Sequence, residues 1–128
     1  MKLLLDTHTF IWFIMGSSNL SAAARSLIED LANEKFISTA SLWEMAIKCS
    51  IGKLNLNTPF SWLIPSQITN NGFDFCPIEI AHLHTVATLP FHHRDPFDRM
   101  LIAQAIVENL PIISADITFD GYPIKRLW

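Results

Sequence analysis

Short apolar segments that read as strands alternate with longer helical segments along the whole chain, and this alternation restricts the possible folds more than any other feature. Strands are expected at Lys2–Leu5, Phe36–Ser38, Phe73–Cys76 and Pro111–Ser114, with a last edge strand over Ile124–Leu127. Between them the apolar spacing predicts helices over Thr7–Met15, from a Ser21 cap to Asn33, and over Ser41–Ile51, where Gly52 stops the helix. Pro59 opens a further helical stretch to Asn70, which Pro65 is expected to bend or break. Helices then follow over Glu79–Leu89 and from Asp95-Pro96 to Asn109, the Asp as cap and the Pro in the first turn. The expected fold class is α/β, with a mainly parallel central sheet flanked by helices in three layers. Sites in such sheets form beyond the carboxyl ends of the strands.

At 128 residues the chain is expected to be one domain, 1–128, with a single core. Half its residues are hydrophobic and 16% are charged, which excludes a disordered chain. The longest apolar block, Phe10 to Met15, is far short of the roughly 20 residues that cross a bilayer. The start, MKLLLDTH, is too short in apolar residues for a signal peptide. No membrane association is expected, and the location expected is cytoplasmic. Cys49 and Cys76 form no CxxC and read as buried free thiols, which fits a reducing compartment.

Four acids recur at the ends of apolar elements: Asp6 in LLLDTHT, Glu44 in SLWEMAIK, Asp98 in DPFDRMLIAQA and Asp116 in PIISADITF. A carboxylate there is costly to bury without a compensating cation. Each also has a structural reading. Asp6 fits the cap of the helix that follows it, and Asp116 fits a turn. Glu44 fits an S-x-x-E capping box with Ser41 and an i,i+4 pair with Lys48, although its helix is apolar nearly all round. Asp95 is an ordinary helix cap. Asp98, third in that helix, lies near the positive end of its dipole.

Around these acids, Arg94 and Arg99 are candidates to hold phosphate, His8 to contact substrate and Ser114 to order a water. His92-His93 and His82/His84 offer imidazoles, but no ligand spacing with the cysteines supports a transition-metal site, and His82 and His84 read as solvated helix surface. Trp12 and Phe13 read as core or as part of a partner surface. Phosphate-cradling glycine loops and the GxSxG elbow are absent, and the D-x-D-x-T pattern of aspartyl phosphatases is broken by His8. The net charge of −3 does not exclude nucleic acid: with four of the twelve acids committed to metal, eight remain against nine Lys and Arg.

Taken together, LLLDTHTFIW, STASLWEMAIK, HHRDPFDRMLIAQA and IISAD resemble the PIN-domain nucleases, and within them the VapC-type toxins of bacterial toxin–antitoxin pairs. The resemblance spans almost the full chain. It implies that Asp6, Glu44, Asp98 and Asp116 form an acidic metal-binding and catalytic quartet, that Mg²⁺ or Mn²⁺ is the cofactor, and that RNA phosphodiesters are cleaved. It also implies a homodimer held in check by a cognate antitoxin. Carboxylates are hard ligands suited to those ions, and one or two of them, ~3.5–4 Å apart if two, support in-line hydrolysis without a covalent nucleophile. Two other readings remain: a PIN-like scaffold that has lost catalysis, and a nuclease for structured DNA, for which 128 residues leave little room.

Overall fold

Strand β1 (Lys2–Leu5) lies at the centre of a five-stranded sheet in the computed structural model, which describes residues 1–128. On one side β1 pairs with β2 (Glu34–Ser38), which pairs in turn with β3 (Phe73–Cys76). On the other side it pairs with β4 (Ile112–Ile113), and β5 (Arg126–Leu127) forms the far edge. All four pairings are parallel, and the order is β3-β2-β1-β4-β5. The chain builds outward from β1 to β3 and then returns to the opposite side of β1. The order therefore reverses between β1 and β4, and a crevice opens beyond their carboxyl ends.

Both faces of the sheet are covered, as continuous apolar strands require. Leu3 and Leu5 point into a core shared with Phe10, Ile28, Met45 and Ile64, supplied by α1 (Thr7–Ile14), α2 (Ala22–Glu29), α3 (Thr39–Ser50) and α4 (Phe60–Asn70). Leu4 points the other way, onto Leu101, Ile102 and Ala105 of α6 (Pro96–Glu108) and onto Phe119. Helix α5 (Ile80–Thr88) packs against α6. Trp12 and Phe13 are partly buried against the larger core. No helix is long and apolar enough to cross a membrane. Cys76 is buried and Cys49 half-buried, and both are free thiols.

Three local expectations are corrected. Helix α3 starts two residues early, because Ser38, the last residue of β2, caps it by accepting from the Ala40 N–H. Ser41 is thus inside the helix and no capping box with Glu44 forms. Pro65 does not break α4: it lies on the exposed face of the helix, which continues past it to Asn70. His82 is not a solvated surface residue. It is 1% exposed, its Nδ1 accepts from the Glu79 N–H at 3.0 Å, and its Nε2 lies 2.9 Å from Glu108 Oε1, while His84 is exposed.

Candidate metal centre

Asp6 follows β1 directly and is also the cap of α1, its Oδ1 accepting from the Thr9 N–H at 2.7 Å. The strand-end and cap roles are therefore compatible. Its other oxygen, Oδ2, takes the hydroxyl proton of Ser114 at the end of the neighbouring strand. That same Ser114 oxygen accepts from the Asp116 N–H at 3.0 Å. Thr9 adds a bond from its hydroxyl to the Ile113 carbonyl at 2.9 Å. Asp6 and Asp116 are thus joined through one hydroxyl at the point where the sheet order reverses.

Helix α3 meets this corner through Ser41, whose oxygen accepts from the Thr7 hydroxyl at 2.9 Å. Glu44 is three residues further on, so it shares the face of α3 that carries Ser41. The residue is 4% exposed overall. Oε2 takes a charge-assisted bond from Lys48 at 2.7 Å, and Oε1 is buried without a partner in the protein. A bare carboxylate oxygen in the interior is costly.

Asp98 stands in the first turn of α6. Asp95 caps that helix by accepting from the Phe97 and Asp98 N–H groups, with Pro96 in the first turn. Burial pushes the Asp98 carboxyl up to about 7, helped by the charges of Asp95, Glu44 and Asp6 and opposed by His93. Asp98 therefore lies in the combined field of the other acids. Asp116 behaves oppositely. Burial raises it, but hydrogen bonds from Thr118 and His93 outweigh that and hold it below the ordinary carboxylate range. Two carboxylates of one cluster are thus driven apart in proton affinity.

His93 joins them. Its Nε2 lies 2.9 Å from Asp116 Oδ2 and 3.1 Å from Asp98 Oδ2, and one ligand atom from each of the three residues falls within 4.8 Å of the others. Sequence spacing does not single His93 out from His92, because Asp116 is 23 residues away and only the return of β4 to the sheet centre brings it there. The one local signal is its position two residues before the Asp95 cap. The atoms that lie within reach of one another come from one imidazole and two carboxylates, with the charges of Asp6 and Glu44 close enough to act on Asp98, and carboxylate oxygens suit a hard divalent cation.

The outlying candidates divide. A cleft of about 280 Å³ is lined by Asp6, His8, Trp12, Ala115 and Asp116, with His8 exposed and its ring tilted on Trp12 at 5.8 Å. Arg94 is exposed beside the helix cap. Arg99 is turned inward. It is 5% exposed, and its guanidinium donates to the carbonyls of Val86, Leu89, Pro90 and His93 with the Phe91 ring 3.9 Å away. Ser114 is fully buried, and its hydroxyl bonds Asp6 and the Asp116 N–H.

The sequence model of the PIN domain matches residues 3–125. Ribonuclease VapC16 of Mycobacterium tuberculosis is 33% identical over 61 residues, which is 48% of this chain and 42% of the relative, so the match spans less than half of that protein's length. Among solved structures, VapBC2 from Rickettsia felis bound to a promoter DNA fragment superposes with a TM-score of 0.76 at 16% identity, over 100% of this chain and 99% of the other. DNA-bound VapBC from Salmonella typhimurium gives 0.71 at 16% identity, over 99% and 97%. FitAcB from Neisseria gonorrhoeae gives 0.70 at 14% identity, over 98% and 96%. At such identities the likeness is one of fold.

Proposed function

This chain belongs to the PIN domain family, and on that premise we propose that it is a divalent-metal-dependent endoribonuclease acting as the toxin of a toxin–antitoxin pair. The observation that carries the reading is the setting of Asp98: it meets Asp116 at His93, Asp116 is tied to Asp6 through Ser114, and burial with the charges of Asp95, Glu44 and Asp6 pushes the Asp98 carboxyl up to about 7. Carboxylates gathered in one crevice repel one another, and a proton or a cation among them relieves the repulsion. The ribonuclease activity named for the M. tuberculosis relative supports RNA as substrate. The VapBC complexes of similar fold support an antitoxin as partner. The assembly proposed with it is a homodimer.

In this reading Asp6, Glu44, Asp98 and Asp116 would hold Mg²⁺ or Mn²⁺. The bound ion supplies Lewis-acid polarisation of the phosphodiester and lowers the pKa of water. The protein's own contribution is rigidity. Asp6 is fixed by Thr9 and Ser114, Asp98 by the capped first turn of α6, and Glu44 by Lys48. The cleft beside Asp6 and Asp116 receives the RNA strand, with His8 on its wall and Arg94 offering positive charge to the phosphates. No side chain is poised as a covalent nucleophile, so water attacks phosphorus in line with the departing oxygen. The test is cleavage of RNA by the purified chain with Mg²⁺ or Mn²⁺. EDTA, Asp6→Asn and Asp98→Asn should each abolish it. Cleavage that persists through all three overturns the reading, and tight partner binding without metal uptake points to a scaffold.

A further inference from the structure

His93 Nε2 lies at the middle of the acidic cluster, where two roles are open to an imidazole. It can bind a cation directly through a nitrogen lone pair, or it can hold the carboxylates that do so. The other ring nitrogen decides between them. Nδ1 accepts the backbone N–H of Asp95 at 3.2 Å, so that nitrogen carries the lone pair. A neutral imidazole has one N–H, which then resides on Nε2. An Nε2–H has no free lone pair for a metal. It is a donor, and its hydrogen bond goes to Asp116 Oδ2 at 2.9 Å, with Asp98 Oδ2 in contact beside it at 3.1 Å.

The rest of the surroundings fixes the ring in this pose. The His93 N–H donates to the Tyr122 hydroxyl at 2.8 Å, and that hydroxyl donates to the Pro90 carbonyl at 2.6 Å. The ring also leans on Phe119, with centroids 5.5 Å apart. Asp95 acts twice. Its N–H sets the tautomer of His93, and its carboxylate caps the helical turn that carries Asp98. The donor and one of the two carboxylates it touches are therefore held by the same residue.

We propose that His93 is a positioning residue, an Nε2–H donor to Asp116 that also touches Asp98 and keeps both carboxylates in place for a divalent cation without itself binding the ion. The proposal rests on the metal-dependent reading above. A donor behind a ligating carboxylate keeps one oxygen turned away and leaves the other for the cation, and loss of such outer contacts typically weakens metal binding by ~10–100-fold.

The full chain, labelled with ¹⁵N-histidine and free of metal, gives the first readout. Long-range proton–nitrogen correlation should show His93 as the Nε2–H tautomer, and an Nδ1–H ring overturns the proposal. Pulsed electron paramagnetic resonance of the Mn²⁺-loaded wild type should show no directly bound nitrogen, and a strong nitrogen coupling overturns it. Calorimetry with Mn²⁺ should find His93→Ala weaker by ~10–100-fold. His93→Gln, whose amide reaches the place of Nε2 with an N–H, should recover much of that loss. His93→Asn, whose amide stops near Nδ1, should not. Equal affinity in wild type and His93→Ala overturns the proposal. Should His93→Ala fail to fold, the Gln/Asn pair and the wild-type spectra decide. A wild type that takes up no Mn²⁺ removes the metal-dependent reading itself, whereas nitrogen-bound Mn²⁺ removes only the positioning role of His93.

Discussion

Lys48 and Glu44 lie one turn apart on α3 and meet at 2.7 Å, so that the only protein partner of the buried Glu44 carboxylate is a lysine that remains partly in water. The pair leaves Glu44 Oε1 turned inward and bare. Lys48→Met should leave the carboxylate with no counter-charge. Removing one partner of a fully buried pair costs ~3–5 kcal/mol, and the partial exposure of Lys48 should reduce this to about 1–3 kcal/mol. Thermal melts of metal-free protein should show the loss, and Mg²⁺ should restore part of it. A melting temperature that ignores both the substitution and Mg²⁺ would mean that Glu44 does not face a cation site.

Asp98 links the site to pH. Its carboxyl is raised from 3.8 to about 7 in the metal-free fold, by burial first and then by Asp95, Glu44 and Asp6. The folded chain therefore binds this proton more tightly than the unfolded chain does. Metal-free stability should be highest below the unfolded value and fall as pH rises from about 4 to about 7. Asp98→Asn should remove that fall and stabilise the metal-free protein at pH 8 by about 2–4 kcal/mol, since a tenfold change in proton affinity corresponds to ~1.4 kcal/mol. A cation that needs the carboxylate must displace the proton. Mn²⁺ affinity should rise with pH up to about 7 and then level off, with proton release seen as buffer-dependent heats below that point. Flat affinity between pH 5.5 and 8 would remove Asp98 from the ligand set.

The strand–helix alternation carries most of this architecture in the open. Asp6 behind three buried leucines and Asp95-Pro96 ahead of an apolar helix are local signals, and local physics places them correctly. Local reasoning fails where two similar residues compete for one role. Ser38 and Ser41 can each cap a helix, and only the length of β2 decides that Ser38 does so and Ser41 is left to meet Thr7. His82 and His84 flank Leu83 on one short helix, and only the packing of α6, which presents Glu108, makes the first of them buried. His93 lies furthest from reach, since its acceptor Asp116 comes from the tertiary arrangement and its contact with Asp98 and its tautomer from the local cap geometry.

Arg99 separates a structural from a phosphate-binding cation. Its guanidinium closes the connection between α5 and α6 by satisfying four carbonyls at once, a fork that a lysine cannot reproduce. Arg99→Lys should destabilise the fold by about 2–4 kcal/mol, because several buried carbonyls lose a donor. At a temperature where both proteins are folded, RNA affinity and its salt dependence should match the wild type, whereas Arg94→Ala should flatten the salt dependence. An Arg99→Lys protein of normal stability and weakened RNA binding would return Arg99 to the phosphate-binding role.

Ser114 is the narrowest support of the whole site, since one hydroxyl donates to Asp6 and accepts from the Asp116 N–H. It is fully buried, so no water replaces it without rearrangement. Ser114→Ala should leave Asp6 Oδ2 free to turn and the Asp116 N–H without its acceptor, at a cost of about 1–3 kcal/mol in stability. The larger effect should be on the site: Mn²⁺ affinity lower by ~10-fold or more, with the turnover of RNA falling in parallel. Calorimetry separates this from simple loosening of the fold. If Ser114→Ala binds Mn²⁺ as the wild type does while melting earlier, the hydroxyl holds β4 in place but does not orient Asp6, and the rigidity assigned to Asp6 must come from Thr9 alone.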